Sequence, residues 1–312
     1  MDDGAALSVS DAILTRRAAL ASVAVAILLL ALKGWAAWIT GSVAMLGSLA
    51  DTGLDLVASL VTLFSVRYAA QPADNRHRFG HGKAEALAAL FQVILISISA
   101  CGIAIQAVRR LIEGNVSANA EYGIGVSVAA LIATLGLIVY QRHVIRQTQS
   151  IAITADNVHY QSDLLLNGAV ILALLLDQFA GVTGADPVFG VLIAAWLLFG
   201  AMRASTAAIN QLMDKEWPES RRQQLLEVAA RSAPPGSIHD LRTRSSGAQD
   251  FVQFHIWVPG DMTVSAAHRI TERIERDLEA AFPKAEILIH LDPEGRIDRL
   301  GEDDEELRET PE

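Results

Sequence analysis

The chain carries two pairs of ionisable residues inside apolar segments that are long enough to cross a lipid bilayer. The first pair is Asp51 and Asp55, and the second is His159 and Asp163. Both pairs have i, i+4 spacing, so on a helix the two members of each pair share one face. Charge near the centre of a bilayer costs roughly 2.5–3.5 kcal/mol per residue on insertion scales. These residues therefore need partners, and they mark a candidate functional site at membrane depth.

The four side chains together form a ligand set that suits a metal ion. Three carboxylates and one imidazole supply oxygen and nitrogen ligands in the number that suits a tetrahedral dication such as zinc. A dication can compensate their charge, whereas the empty site would tend to hold protons. Because the ligands must be deprotonated, metal binding releases protons, and the pattern predicts metal transport coupled to proton exchange. The alternative is a polar helix contact in which protonated carboxylates bond to one another and fix packing.

The composition changes near residue 210, where an apolar region gives way to a charged one. Hydrophobic residues make up 52% of the 312 residues, and the mean hydropathy of +0.33 is high for a soluble protein of this size. This division predicts a membrane part followed by a soluble part. Six segments, each of about 20 residues, are predicted to be transmembrane helices. They cover roughly Ala18–Ile39, Val43–Tyr68, Ala84–Leu111, Tyr122–Tyr140, Ile151–Leu176 and Pro187–Ile209.

Lysines and arginines are concentrated before the first predicted helix and in the second-to-third and fourth-to-fifth connections, while the opposite connections contain none. The positive-inside rule therefore predicts a multi-pass protein of the cytoplasmic membrane with both termini in the cytoplasm. Lys33, late in the first helix, is a small exception to this pattern. The net charge of −10 owes much to the acidic run Glu302–Glu306, and no basic cluster indicates nucleic-acid binding. The single cysteine, Cys101, excludes a disulfide framework or a cysteine-based zinc motif within one chain.

The soluble part has the predicted element order helix, strand, strand, helix, strand, which favours a small open α+β sandwich. These elements are Arg221–Arg231, Ile238–Arg244, Phe251–Val258, Val264–Phe282 and Ala285–Leu291. We therefore predict a cytoplasmic N-terminus (1–17), a transmembrane domain (18–212), a cytoplasmic domain (213–292) and a disordered acidic tail (293–312).

Two more groups of ligand-type residues lie outside the predicted transmembrane helices. Asp74, His77 and His81 fall within eight consecutive residues of the second-to-third connection. Short linkers often show such spacing without binding metal. His290 and Asp292 point to the same side of the last strand. Four of the chain's eight histidines belong to this domain, namely His239, His255, His268 and His290. Each alone is most simply a surface histidine, but together they leave metal binding open.

Several segments, taken together, resemble the cation diffusion facilitator family over nearly the whole chain. The segments are TGSVAMLGSLADTGLDL, QPADNRHRFGHGKAEALAAL, ADNVHYQSD, GSIHDLRTRSSG and ILIHLDP. The resemblance implies a homodimer whose protomers have six transmembrane helices and a cytoplasmic ferredoxin-like domain. It also implies that a divalent cation of the zinc, cadmium or ferrous-iron type is exchanged for protons at one site. That transport site would consist of Asp51, Asp55, His159 and Asp163.

The same resemblance assigns roles to the other candidate residues. It implies a loop metal site at Asp74, His77 and His81, and a two-metal cluster that steadies the dimer of cytoplasmic domains. The cluster would comprise His239, His255, His268, His290 and Asp292. Lys83 and Asp214, which on their own are most simply interfacial charges, would form a salt-bridge interlock between the third and sixth helices. The loop departs from the family pattern at Asn75 and Arg76, and the added positive charge is expected to weaken metal binding there.

The sequence therefore predicts a secondary transporter, not an enzyme, that exports zinc, with Fe²⁺ or Cd²⁺ as further cargoes. Its predicted partners are protons, membrane lipid and a second copy of the chain. An intramembrane metalloprotease is one alternative, but it needs an open zinc position and a general base, commonly in H-E-x-x-H, and that motif is absent. A membrane metal sensor without transport is the other, although sensing needs no ligands at membrane depth.

Overall fold

The computed structural model of the protein describes residues 2–40, 43–113, 124–180 and 185–294. The chain divides into two compact units. The helical unit contains Ser8–Met213 and Ser246–Ala248, and the α/β unit contains most of the rest, from Asp214 onward. The predicted disordered tail lies almost wholly outside the described residues. The predicted domain bounds stay predictions.

The helical unit is built from six long helices. They are α1 (Asp2–Thr40), α2 (Val43–Ala69), α3 (Ala84–Glu113), α4 (Ile124–Thr148), α5 (Ile151–Ala180) and α6 (Ala185–Leu212). Helix α1 begins well before the predicted Ala18, and this N-terminal extension contains no proline that would interrupt it. Among the described residues, three spans are long and apolar enough to cross a membrane: Ser10–Ile39, Ala84–Arg109 and Pro187–Leu212. The ionisable pairs lower the hydropathy of α2 and α5, and the count of six crossings stays a prediction.

Small residues line the contacts between these helices, and large apolar residues cover the outside. Ala86, Ala89 and Ala208 are completely buried where helices meet. Small side chains at such contacts let helix backbones approach closely, which is the usual packing of helices in lipid. Phe64 and Phe199 are exposed by 71% and 67%, respectively. An apolar exterior on this scale is that of a helical membrane domain, not of a water-facing surface.

The α/β unit contains the five predicted elements in the predicted order. They are α7 (Glu219–Ala229), β1 (Ile238–Ser246), β2 (Gln249–Val258), α8 (Val264–Ala281) and β3 (Ala285–Pro293). The sheet order is β1-β2-β3. Strands β2 and β3 are parallel, with Phe254 opposite Ile289 and His255 opposite His290. Parallel neighbours require a crossover connection, which α8 provides.

The core of this unit forms between the sheet and α8. Val252, Phe254 and Ile256 of β2 are buried together with Ile274 and Leu278 of α8. Because side chains alternate along a strand, burial of Phe254 and Ile256 turns the intervening histidine to the opposite face of the sheet. The pattern that builds the core thus also places the ligand-type residues.

Replacing Phe254 with alanine is expected to destabilise the α/β unit by about 3–5 kcal/mol, because the substitution removes a buried ring and leaves a cavity. Hydrogen-exchange mass spectrometry on β2 and α8 peptides of the full chain measures this as a loss of protection. Leu288→Ala is the matched control, since Leu288 is 61% exposed and should change stability by less than about 0.5 kcal/mol. Equal effects of the two substitutions would contradict this description of the core.

Candidate metal centre

Helices α2 and α5 bring Asp55, His159 and Asp163 together inside the helical unit. The Nε2 atom of His159 lies 3.0 Å from Oδ1 of Asp55 and 3.9 Å from Oδ2 of Asp163. One ligand atom from each residue lies within 4.8 Å of the other two. Ligands that share a tetrahedral zinc ion at about 2.0–2.1 Å are separated from one another by roughly 3.3 Å. Small side-chain rotations would therefore bring all three onto one cation.

The fourth predicted ligand, Asp51, is not part of this group. It lies one helical turn before Asp55 on α2, and its side chain is exposed. The group itself is only partly shielded, because the side chain of Asp163 is 32% exposed while that of His159 is 8% exposed. The site therefore lies at the edge of the packed interior, with one side open. Asp51 stays a predicted ligand.

Asp156 is a buried carboxylate that the sequence reasoning did not single out. It is completely buried, and its oxygens accept hydrogen bonds from Ser22 Oγ at 2.6 Å, Gln141 Nε2 at 2.7 Å and Gln92 Nε2 at 3.0 Å. These donors belong to α1, α4 and α3, and they solvate the carboxylate without a cation. The signal that could have found it is a third acidic residue on the apolar helix α5, three positions before His159.

Tyr160 fixes the rotation of α5 at the position next to His159. The phenol is buried, its oxygen lies 2.8 Å from Ser59 Oγ, and it donates a hydrogen bond to the Ser22 carbonyl at 3.2 Å. These bonds connect α5 with α2 and α1. Because adjacent residues on a helix point in different directions, locking Tyr160 inward also determines where the imidazole of His159 points.

The connection between α2 and α3 brings Asp74, His77 and His81 together, as the spacing predicted. Their ligand atoms lie within 4.8 Å of one another. His77 Nδ1 is 3.1 Å from His81 Nε2 and 3.3 Å from Asp74 Oδ1. His81 is buried against Tyr68, with ring centroids 4.6 Å apart. The loop therefore has a defined shape with one buried and two exposed candidate ligands.

Backbone N–H groups hold the Asp74 carboxylate in this loop. Its Oδ1 atom accepts hydrogen bonds from the backbone N–H groups of His77 at 2.6 Å and Arg76 at 2.7 Å. These two bonds lower the pKa of Asp74 below its usual value. The side chains of Arg76 and Arg78 are exposed. Whether metal occupies this loop stays a prediction.

In the α/β unit, ligand-type residues from all three strands meet at Asp292. Its Oδ2 atom lies 2.9 Å from His239 Nε2 and 2.9 Å from His255 Nδ1. His239 also stacks on Trp257, with ring centroids 4.4 Å apart. Burial tends to raise the pKa of Asp292, but the hydrogen bonds from His255 and His239 outweigh it and leave the pKa below the usual value.

Of the two remaining predicted members of this cluster, His290 lies at Asp292 and His268 does not. His290 Nε2 lies 3.1 Å from Asp292 Oδ1, and its ring is 4.7 Å from that of His255. The parallel register that pairs His255 with His290 explains this meeting. His268 lies on α8 instead, 67% exposed and 3.4 Å from Glu272 of the same helix. The structure thus brings four of the five together, and metal binding by the cluster stays a prediction.

The predicted pairing of Lys83 with Asp214 would join residues of two different units. It stays a prediction. Lys83 Nζ donates a hydrogen bond to the carbonyl of Leu212 at 3.2 Å, which connects the start of α3 with the end of α6. A cation at a helix C-terminus interacts favourably with the last carbonyls. Asp214 lies 3.4 Å from Arg244 within the α/β unit.

Comparison with known proteins matches both units to domains of cation efflux proteins. Residues 19–213 match the family model described as the cation efflux transmembrane domain, and residues 217–294 match the cytoplasmic domain of cation efflux proteins. The chain is 43% identical to the cation-efflux pump FieF of Cronobacter sakazakii over 90% of this chain and 93% of that protein. It is 44% identical to the FieF of Yersinia pestis over 89% of this chain and 92% of that protein.

One solved structure is similar in sequence to part of this chain. It comes from work on the candidate zinc transporter CzrB in its zinc form, and it is 35% identical over 28% of this chain and 99% of that one. The TM-score of 0.24 is too low to bear on the fold.

Replacing Asp292 with asparagine is expected to destabilise the metal-free α/β unit at pH 7 by roughly 1–3 kcal/mol, because hydrogen bonds to a charged acceptor are lost. The pKa of Asp292 is lowered in the folded state. Its stabilising contribution is therefore present above the unfolded-state pKa of about 3.9 and is lost as pH falls through the folded-state value. The free energy of unfolding is measured in urea with a chelator present and is monitored by hydrogen exchange of β3 peptides. It should become equal in the variant and the wild type below about pH 4.

The matched control for this prediction is Asp261→Asn, because Asp261 is exposed in the same unit. That variant should follow the wild type at every pH. A stability difference between Asp292→Asn and the wild type that stays constant down to acidic pH would contradict the assigned role of the carboxylate.

Proposed function

The chain belongs to the cation efflux family, and we propose that this cation efflux transporter exports zinc from the cytoplasm in exchange for protons. The observation that carries the proposal is the meeting of Asp55, His159 and Asp163 within one group of the helical unit. Two carboxylates and an imidazole at these distances can hold a dication or protons. Because metal binding requires the deprotonated ligands, binding and protonation compete at the same atoms.

The donor set favours zinc among the common divalent metals. The ligands are oxygen and nitrogen, which suit Zn²⁺ and Fe²⁺, and the chain's single cysteine lies elsewhere, on α3. At a given site, zinc binds more tightly than ferrous iron. Without a thiolate, the site should also release its cargo readily. Fe²⁺ and Cd²⁺ remain alternative cargoes that metal competition would rank.

The membrane arrangement that we propose follows from the family and from the charge distribution. The protein would lie in the inner membrane with six crossings and both termini in the cytoplasm, as the positive-inside pattern predicts. The match to the cytoplasmic domain, the dimerisation domain of these transporters, supports a homodimer. We infer that the loop group at Asp74 and the cluster at Asp292 bind zinc, the second of them steadying the dimer. An interlock between Lys83 and Asp214 belongs to the same proposal.

Two other functions have clear tests. A metal sensor without transport would bind zinc but show no flux into vesicles. An intramembrane metalloprotease would cleave peptides in the presence of zinc, although the chain has no H-E-x-x-H motif. The matches to cation efflux proteins favour a transporter over an enzyme.

Asp55→Ala is expected to abolish zinc uptake into inside-out vesicles that maintain a proton gradient. The substitution removes the carboxylate that lies 3.0 Å from His159 Nε2, and with it a ligand that both metal and proton need. Circular dichroism and size-exclusion chromatography establish that the variant still folds. Uptake at the wild-type rate would remove the basis of the proposal.

A histidine pair offers a matched test of the imidazole. His159→Ala should reduce uptake at least as far as Asp55→Ala does, because it removes the nitrogen at the centre of the group. His143→Ala should leave uptake unchanged, because His143 is exposed on α4 and bonds to Gln147 of the same helix. Similar losses in the two variants would indicate a general effect of histidine removal and not a metal site.

A further inference from the structure

Lys33 is a half-buried lysine of α1 whose ammonium contacts the segment of α2 that carries the candidate transport site. Its Nζ atom donates a hydrogen bond to Thr52 Oγ1 at 2.7 Å, and Thr52 is only 1% exposed. A lysine near the end of a membrane helix usually extends its ammonium towards the headgroups. The ammonium of Lys33 is directed to the neighbouring helix instead.

The hydrogen bond to Thr52 brings this ammonium to the part of α2 that carries the candidate ligands. Thr52 directly follows Asp51 and comes three residues before Asp55. Helices α1 and α2 are packed together here, since a Cβ atom added to Gly34 of α1 would lie 3.7 Å from Leu49 Cδ1 of α2. Asp55 in turn lies 3.0 Å from the Nε2 atom of His159 on α5. Lys33 thus shares one electrostatic environment with residues of both α2 and α5.

We propose that Lys33 is a specificity-determining residue that matches the net charge of the transport site to a dication. The proposed site counts Asp51, which stays a predicted ligand, together with Asp55, His159 and Asp163. With its three aspartates ionised and its imidazole neutral, this site carries three negative charges, and the ammonium reduces this to two. An ammonium has no lone pair and cannot be a ligand, so its effect on the cargo is purely electrostatic. The inference rests on the proposed function, and it specifies the cargo by its charge.

The physical basis is the cost of uncompensated charge in a low-dielectric interior. With Lys33 in place, a bound dication leaves the site neutral, whereas a trication leaves it positive. Without the ammonium, the site would be balanced by a trication instead. Repulsion by a fixed charge grows in proportion to the charge of the ion. Removing Lys33 should therefore favour every cation, and a trication more than a dication.

Calorimetric titration of the full-length protein in detergent with Zn²⁺ and with La³⁺ tests this. Lys33→Gln removes the charge, Lys33→Arg keeps it, and each is measured with and without Asp55→Ala so that binding elsewhere in the chain is subtracted. We expect Lys33→Gln to tighten Asp55-dependent Zn²⁺ binding by about tenfold. The same variant should tighten La³⁺ binding by roughly thirtyfold, because the energy scales with charge. Lys33→Arg should stay within about threefold of the wild type for both ions.

The outcomes separate this inference from the proposed function. Unchanged or weaker Zn²⁺ binding in Lys33→Gln, or equal gains for both ions, would overturn the electrostatic role and indicate packing instead. Absence of Asp55-dependent Zn²⁺ binding in the wild type would overturn the proposed function, and the inference with it.

A second variant decides the matter if Lys33→Gln does not fold. Thr52→Val keeps the ammonium but removes its hydrogen-bond acceptor, so the charge is no longer held against α2. We expect an intermediate tightening, about threefold for Zn²⁺ and larger for La³⁺. Wild-type affinity for both ions in this variant would overturn the inference.

Discussion

The need to satisfy polar side chains within an apolar helical unit determines how that unit is built. Helix α5 carries several of these groups, among them Asp156, His159 and Tyr160, and their hydrogen-bond partners lie on α1, α2, α3 and α4. In hydrocarbon, each unsatisfied polar group would cost several kcal/mol. The orientation of α5 about its axis and the helices that pack against it therefore follow from the need to satisfy these polar groups. The candidate site arises from the same arrangement.

Two kinds of carboxylate result, one buried and one partly exposed, and they suggest different roles. Asp156 receives three hydrogen bonds from neutral donors on three helices and needs no cation. Asp55 and Asp163 instead share one imidazole and remain partly exposed. A saturated carboxylate connects helices, whereas carboxylates that share a single donor are available to a mobile cation. Lys33 adds a fixed charge that tunes this second group without binding the cargo itself.

The sequence predicted most of what depends on local periodicity. Helical spacing predicted that His159 and Asp163 share a face, and strand alternation predicted that His290 and Asp292 do. The role of Asp156 was not predicted, because its donors come from helices that are distant in sequence. The register that brings β2 alongside β3 was also out of reach, since it depends on how α8 packs across the sheet. Lys33 appeared in the sequence only as an exception to a charge pattern, because its hydrogen bond to α2 depends on tertiary packing.

The central claim is that a dication binds between α2 and α5 at His159 and its neighbouring carboxylates. Zinc X-ray absorption spectroscopy tests it most directly, on full-length protein in which His81 and Asp292 have been replaced by alanine to weaken the other two groups. The account predicts one zinc per chain with oxygen and nitrogen ligands at about 2.0–2.1 Å. It also predicts an imidazole scattering signal that disappears in His159→Ala. Failure to retain zinc, or an imidazole signal that persists without His159, would contradict it.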